Sequence, residues 1–192
     1  MKRTIWLILG FLILGAQEGF SQDLGETGKL DGIVQHINQL ETSKDQWVDS
    51  LTRVAMDTSQ SGEIRRAAFL NLGKVRSEKA LKFLVDQYNT RIYFAEGEGL
   101  GDDYPAVLSI YENQLGDFAL IEQVFQSLRS GEKTDMDIAL LAMIATSVVE
   151  NNPNLDKGIV QRLAKNRRKA IGYRNISATE QRNLNRFIGF FY

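Results

Sequence analysis

The sequence predicts an all-α protein made of stacked antiparallel helical hairpins, about four pairs followed by a C-terminal helix. Three observations support this. Apolar residues recur three or four positions apart along most of the chain, capping residues and glycines divide that pattern into short helices, and alternating strand-like runs are scarce. With 192 residues, 43% of them hydrophobic, we expect one domain over residues 22–192 that needs neither disulfide nor metal to fold.

Residues 1–21 have the pattern of a secretory signal peptide: a basic start, an apolar run over residues 5–14, and then small and polar residues. The apolar run is about half of the roughly 20 residues that a membrane-spanning helix needs. We therefore expect an exported protein, periplasmic or extracellular, cleaved before Gln22 or after Ala16, with no stable membrane span afterwards. An uncleaved anchor is the alternative.

The first predicted hairpin pairs a helix over residues 24–40 with one that follows Ser43. In the first helix apolar residues fall on one stripe, and His36 lies beside that stripe as a packing residue. Ser43 and Gln46 have the spacing of a capping box. The helix that they would open buries Trp47, Val48, Leu51, Val54 and Ala55.

Residues 61–88 form the clearest hairpin. The first helix has an apolar stripe, and Gly73 is expected to end it because glycine suits the left-handed position after a helix. Ser77 is then placed to cap the second helix. The two stripes are Ile64, Ala67, Ala68, Leu72 and Val75, then Ala80, Leu81, Leu84, Val85 and Tyr88.

This hairpin resembles a HEAT-type repeat, whose first helix reads roughly V-R-x-A-A-x-x-L-G before a second helix opens. The residues that match are Ile64, Arg65, Ala67, Ala68, Leu72 and Gly73. The chain departs from the pattern at Asn71 and Ser77, and it lacks the proline that many second helices carry. The resemblance implies an ARM-type α-solenoid with a binding role, and it names no partner.

Residues 91–105 are irregular and acidic, with glycines at 97, 99 and 101 and four carboxylates. As a solvated connector this stretch would enter the next helix at Pro105. As a functional loop it would bind a partner or a cation, although its spacing does not match an EF-hand. No apolar strand precedes its glycines, so no nucleotide site is expected. The four carboxylates are Glu96, Glu98, Asp102 and Asp103.

The next predicted hairpin covers residues 106–128. A helix over 106–115 is expected to stop at Gly116, and Asp117 is expected to cap its partner, whose stripe is Leu120, Ile121, Val124, Phe125 and Leu128. Gly116 follows Gly73 by 43 positions, which suits the repeat length of HEAT-like units, roughly 40–47 residues.

The C-terminal third contains two further capping signals. Thr134 and Asp137 should open a helix that is apolar all round over residues 138–149 and is therefore buried on all sides, with the helix at residues 159–163 as its hairpin partner. Ser177 and Glu180 should open the last helix, which docks through Leu184, Phe187, Ile188 and Phe191. The alternative is that Phe187, Phe190, Phe191 and Tyr192 lie exposed together as a partner surface.

Charge is unevenly distributed although the formal net charge is only −1. Residues 151–192 carry +7, and residues 22–150 carry −9. The densest basic cluster could bind an anionic polymer or surface, an acidic protein, or the protein's own acidic body; basic residues also favour helix C-termini. The candidate partner-binding residues of this cluster are Lys165, Arg167, Arg168, Lys169 and Arg174.

The counts of cysteine and histidine limit the kinds of catalytic and metal site that the protein can have. There are no cysteines and one histidine, which excludes thiol catalysis, cysteine-ligated metals and multi-histidine sites. We expect no cofactor and no catalytic residues, and we interpret the chain as a non-enzymatic protein that binds another protein. The alternatives are recognition of an anionic ligand through the basic cluster and hydrolysis by a carboxylate pair in the acidic loop.

Overall fold

The computed structural model describes residues 41–93, 104–155, 158–170 and 176–191, and within them the protein is all-α. The predicted signal peptide and the helix predicted over residues 24–40 lie outside these ranges. Eight helices are described: α1 (Glu41–Met56), α2 (Gly62–Val75), α3 (Glu78–Asp86), α4 (Pro105–Glu112), α5 (Phe118–Arg129), α6 (Asp135–Glu150), α7 (Ile159–Ala170) and α8 (Ala178–Gly189).

The helices pack in two layers, which confirms the predicted fold of stacked helical hairpins. In one layer α2 contacts α4, α4 contacts α6, and α6 contacts α8. In the other layer α1 lies beside α3 and α3 beside α5, and a salt bridge between Arg167 and Glu122 joins α7 to α5. The layers hold together at the junctions α1–α2, α2–α3, α3–α4, α5–α6 and α7–α8. The predicted pairs α4–α5 and α6–α7 are in less extensive contact than these.

Both glycines that were expected to end helices have a different role. The left-handed residues at these turns are Arg76 (φ 50°) and Gln114 (φ 49°), so the turns come at those positions instead. Gly73 lies inside α2, where a Cβ would stand 2.6 Å from Nδ2 of Asn113, the residue just after α4. Gly116 would likewise place a Cβ 2.6 Å from Nδ2 of Asn152. Gly73 therefore permits a close approach between α2 and the end of α4, and Gly116 one between the loop after α4 and the residues that follow α6.

Side-chain hydrogen bonds accompany both close approaches. In α4, Ser109 Oγ donates to the carbonyl of Phe69 at 2.7 Å, and at the C-cap of α4 Asn113 Nδ2 donates to the carbonyl of Leu70 at 3.0 Å. At the next step Ser147 Oγ donates to the carbonyl of Leu115 at 3.4 Å, and Asn152 Nδ2 donates to that of Gly116. At both steps a serine and an asparagine donate to carbonyls of the preceding unit, within α2 at the first step and just after α4 at the second.

Helix α6 is the central helix of the C-terminal half, as its composition predicted. It packs against α4, α5 and α8. Its one strongly exposed apolar side chain within residues 138–149 is Met143, at 46%. Its buried apolar residues are Ile138, Leu140, Leu141, Ala142, Ile144, Ala145, Val148 and Val149.

The predicted helix caps have different outcomes. Ser77 accepts a hydrogen bond from the Ala80 N–H at 3.1 Å, and Thr134 forms a full capping box with Asp137. The box predicted at Ser43 is wrong, because Ser43 lies inside α1 and not at a position before it. Asp117 stands at the N-cap of α5 without a side-chain cap.

Ser177 caps α8 by accepting from the Glu180 N–H at 3.0 Å, but the other half of that predicted box is replaced by ion pairing. The Glu180 side chain is 6% exposed and lies between Arg129 (3.6 Å) and Arg167 (3.8 Å). Helix α8 is also tied to α5 by Asn183, whose Nδ2 donates to the carbonyl of Leu128 at 3.0 Å.

The aromatic residues of α8 do not form an exposed cluster within the described residues. Phe187 is buried, Phe191 packs on it with ring centroids 5.2 Å apart, and Phe190 is exposed. Helix α7 was predicted to pair with α6, but it packs chiefly on α8. Its buried residues Val160 and Ala164 belong to the common core.

Candidate functional site

A polar groove of about 560 Å³ opens between α3 and α5 and reaches the loop that leads to α6. Because α3 and α5 are neighbours in the same layer, the groove follows the line between two adjacent helices. Amides, hydroxyls, two lysines and one carboxylate line it. The groove residues are Lys82, Asp86, Tyr88, Asn89, Gln123, Gln126, Ser127, Ser130 and Lys133.

The floor of the groove is fixed by a hydrogen-bonded cluster around Asp137 at the start of α6. Tyr88 is buried just after α3, and its hydroxyl donates to Asp137 Oδ1 at 3.0 Å. Asn89 Nδ2 donates to the same oxygen at 3.1 Å. The second carboxylate oxygen accepts from the N–H of Thr134 at 2.8 Å and from its hydroxyl at 2.7 Å. One side chain therefore caps α6 and ties that helix to the end of α3.

This cluster perturbs two ionisable groups in opposite directions. Burial, followed by the nearby Asp137 carboxylate, raises the pKa of Tyr88 well above its ordinary value. Burial alone would raise the pKa of Asp137, but the hydrogen bonds that it accepts from Thr134, Tyr88 and Asn89 outweigh burial and lower it. At neutral pH the pair is thus a phenol and a carboxylate, a donor and an acceptor that match.

Two lysines border the groove and make different contacts. Lys82 pairs with Asp86 one turn further along α3. The ammonium of Lys133 lies over the Tyr88 ring, 5.5 Å from its centroid. Among the side chains that the structure describes, no carboxylate forms a salt bridge with Lys133.

The α5 wall carries polar groups that are open to a ligand. Gln126 Nε2 donates to Glu122 Oε1 at 3.0 Å on the same helix. Within the described part of the chain, no hydrogen bond engages the Gln123 amide or the Ser127 hydroxyl. An amide side chain offers two donors and an acceptor. This wall can therefore satisfy both the N–H and the C=O groups of a polypeptide lying beside it.

Part of the predicted basic cluster is engaged in contacts within the protein. The Arg167 side chain is 15% exposed; it pairs with Glu122 at 3.3 Å and lies over the ring of Phe125, 5.4 Å from the centroid. Lys169 is exposed on α7 and Lys165 is half-buried. Arg168 lies in α7, but its side chain and the whole of Arg174 are outside the described residues.

The acidic loop lies outside the described residues as well, so the structure does not place Glu96, Glu98, Asp102 or Asp103. Among the residues that it does describe, no three His, Cys, Asp or Glu side chains are arranged to share a metal ion. Nor is any helix in those ranges both long enough and apolar enough to cross a bilayer.

Sequence reasoning missed the groove because its residues are ordinary polar positions off the apolar stripes. Lys82 lies on α3 and Gln123 on α5, and only the packing of these two helices brings them to one surface. The available signal was the spacing of Gln123, Gln126 and Ser130, which places polar side chains three and four apart on one face. No protein-family model matches the chain, and no curated protein or solved structure shows significant similarity to it.

Proposed function

We propose that this is an exported, non-enzymatic helical-repeat protein that binds another protein through the groove between α3 and α5. The observation that carries the proposal is the lining of that groove, which offers hydrogen-bonding groups along adjacent helices of one layer. The export step rests on the sequence of residues 1–21. Stacked helical hairpins commonly present a continuous face to extended partners.

The chemistry of the lining favours a polypeptide over a small apolar ligand. Pockets for small molecules are mostly apolar with a few polar groups, at roughly 300–1,000 Å³. This groove has a similar volume, about 560 Å³, but amide, hydroxyl and charged groups line it together with their apolar stems, so it is richer in polar groups than such pockets. An extended peptide has an N–H and a C=O at nearly every residue, so a lining of this kind suits it.

The groove is also held rigidly, which lowers the entropy cost of binding. Its floor is fixed by Tyr88 and Asn89, which both donate to Asp137. Its wall belongs to α5, a helix that contacts α3, α6 and α8. A ligand would therefore meet a preformed surface.

Site-specific photocrosslinking in the producing cell tests this proposal. A photoreactive residue replaces Gln126 in the groove, and the matched control replaces Glu150, which is exposed at the end of α6. We expect the Gln126 position to crosslink to one defined protein and the Glu150 position not to do so. Equal labelling from both positions, or none from either, would contradict the proposal.

Binding of an anionic polymer or surface through α7 is the second candidate, because residues 159–170 contain five basic residues and no acidic one. Its test uses Lys165→Ser with Lys169→Ser and leaves Arg167 in place, since losing Arg167 would strip Glu180 of a partner. This candidate predicts that association with the anion falls steeply with salt and in the double variant. Salt-independent association would exclude it.

A further inference from the structure

The carboxylates around the groove are already engaged. Asp86 pairs with Lys82, and Asp137 accepts four hydrogen bonds from the groove floor. On the side of α7, Glu122 pairs with Arg167. Beyond the loop to α6, two further carboxylates pair with arginines of α8, Glu132 with Arg182 and Asp135 with Arg186.

Lys133 is the lining cation that this arrangement leaves without an ion pair among the described residues. Its position over the Tyr88 ring holds the ammonium at the groove wall. Such a contact holds a cation in place weakly and leaves its N–H groups able to donate to a ligand. A carboxylate entering the groove would find a positioned partner there.

The surroundings add to this local preference. Helix α7 follows α5 in the same layer and carries five basic residues with no acid. Summed surface charge of one sign attracts ligands of the opposite sign and speeds their approach. The groove itself lies in the acidic part of the chain, so the preference for an acidic partner rests on Lys133, and the basic residues of α7 add to it only on the far side of α5.

We propose that the groove binds an acidic, extended segment of a partner protein, with a carboxylate of that segment at Lys133 and its backbone along Gln123 and Ser127. This inference rests on the proposed function and specifies the kind of partner. It assigns charge selection to Lys133 and backbone recognition to the α5 wall. The two roles can be separated by substitution.

The test uses the purified protein and a displayed library of random 12-residue peptides. We expect the selected peptides to contain more Asp and Glu than the input library. The affinity for a selected acidic peptide should fall about tenfold in Lys133→Gln. This loss is intermediate between the effects of removing an exposed charge pair and a buried one. The matched control is Lys79→Gln, which removes a lysine that pairs with Asp49 of α1 outside the groove lining. It should change the affinity less than twofold.

Each outcome bears on a different claim. A Lys133→Glu variant with an unchanged circular dichroism spectrum should select basic peptides instead, which would support the inference. Peptides without an acidic preference, or with equal affinity for Lys133→Gln, would overturn it and leave the proposed function intact. If no peptides are enriched and Gln126 does not crosslink, both the inference and the proposed function are wrong. If no peptides are enriched but Gln126 does crosslink, only the inference of an acidic, extended segment is wrong.

Discussion

At the scale of single residues, the glycines show how a missing Cβ sets the spacing between helices. A Cβ at Gly73 would stand 3.0 Å from the Ser109 carbonyl oxygen and 2.6 Å from Asn113 Nδ2. The backbone atom cannot move aside without moving α4. Gly73 therefore determines how closely α2 and α4 approach.

Gly73→Ala should destabilise the protein by about 1–3 kcal/mol, because the added methyl group overpacks the α2–α4 contact. Gly189→Ala is the matched control: it is also a helical glycine, and a Cβ there meets nothing within 4 Å. It should be neutral or stabilise by up to about 1 kcal/mol. Urea unfolding of both variants measures this. If Gly73→Ala is as stable as the wild type, α4 can move away from α2 without a loss of stability, and Gly73 does not set their distance.

At the scale of helices, Asp137 connects α6 to the end of α3 as well as capping its own helix. Four hydrogen bonds converge on its two oxygens from Thr134, Tyr88 and Asn89. These bonds favour the charged form and lower its pKa in the folded protein. The junction should therefore depend on pH.

In the pH range between the two pKa values of Asp137 the unfolded chain binds more protons than the folded one, so stability falls as the pH falls. The contribution is present above the unfolded pKa, about 3.9, and is lost as the pH drops through the lower folded value. Asp137→Asn should cost about 1–3 kcal/mol at pH 7 and lose less stability than the wild type on acidification. Thermal melts from pH 7 to pH 2 measure this. Tyr88→Phe should also make stability depend less on pH. If the stability of the variants and of the wild type falls equally with pH, Asp137 is not the source of the pH dependence.

Helix positions and buried faces were largely predictable from sequence, because apolar spacing reports which side of a helix leaves water. Ala80, Leu84 and Tyr88 are buried as that spacing required. The role of Gly73 was not predictable, since a glycine near a helix end serves a turn or a close contact equally well. The deciding partner, Ser109, lies 36 positions further along the chain, and periodicity carries no information about it.

At the scale of the whole molecule, the basic C-terminal segment binds partly to the acidic body. Arg182 pairs with Glu132 at 2.8 Å, Arg167 with Glu122 at 3.3 Å, and Arg186 pairs with Asp135. This arrangement fits one of the alternatives that the charge pattern left open. Single exposed pairs contribute little to stability, so their effect should be collective.

High salt should therefore loosen the C-terminal end selectively. Between about 0.05 M and 1 M NaCl the screening length falls to about 3 Å, which weakens exposed ion pairs and strengthens apolar burial. We expect amide hydrogen exchange to accelerate more in α8 than in α2 or α4, whose contact is mainly apolar and hydrogen-bonded and includes a single exposed ion pair, Arg66 with Glu112. The measurement is mass-spectrometric exchange at both salt concentrations. Uniform protection at both would show that the charge division does not hold the end in place.

The close contacts at Gly73 and Gly116 have a mechanical consequence. At each one a bare glycine backbone faces an asparagine further along the chain, and a serine and that asparagine donate to nearby carbonyls. Backbone held this closely leaves neighbouring units no room to slide past one another. A partner that spans two units would therefore meet anchor points at a constant spacing.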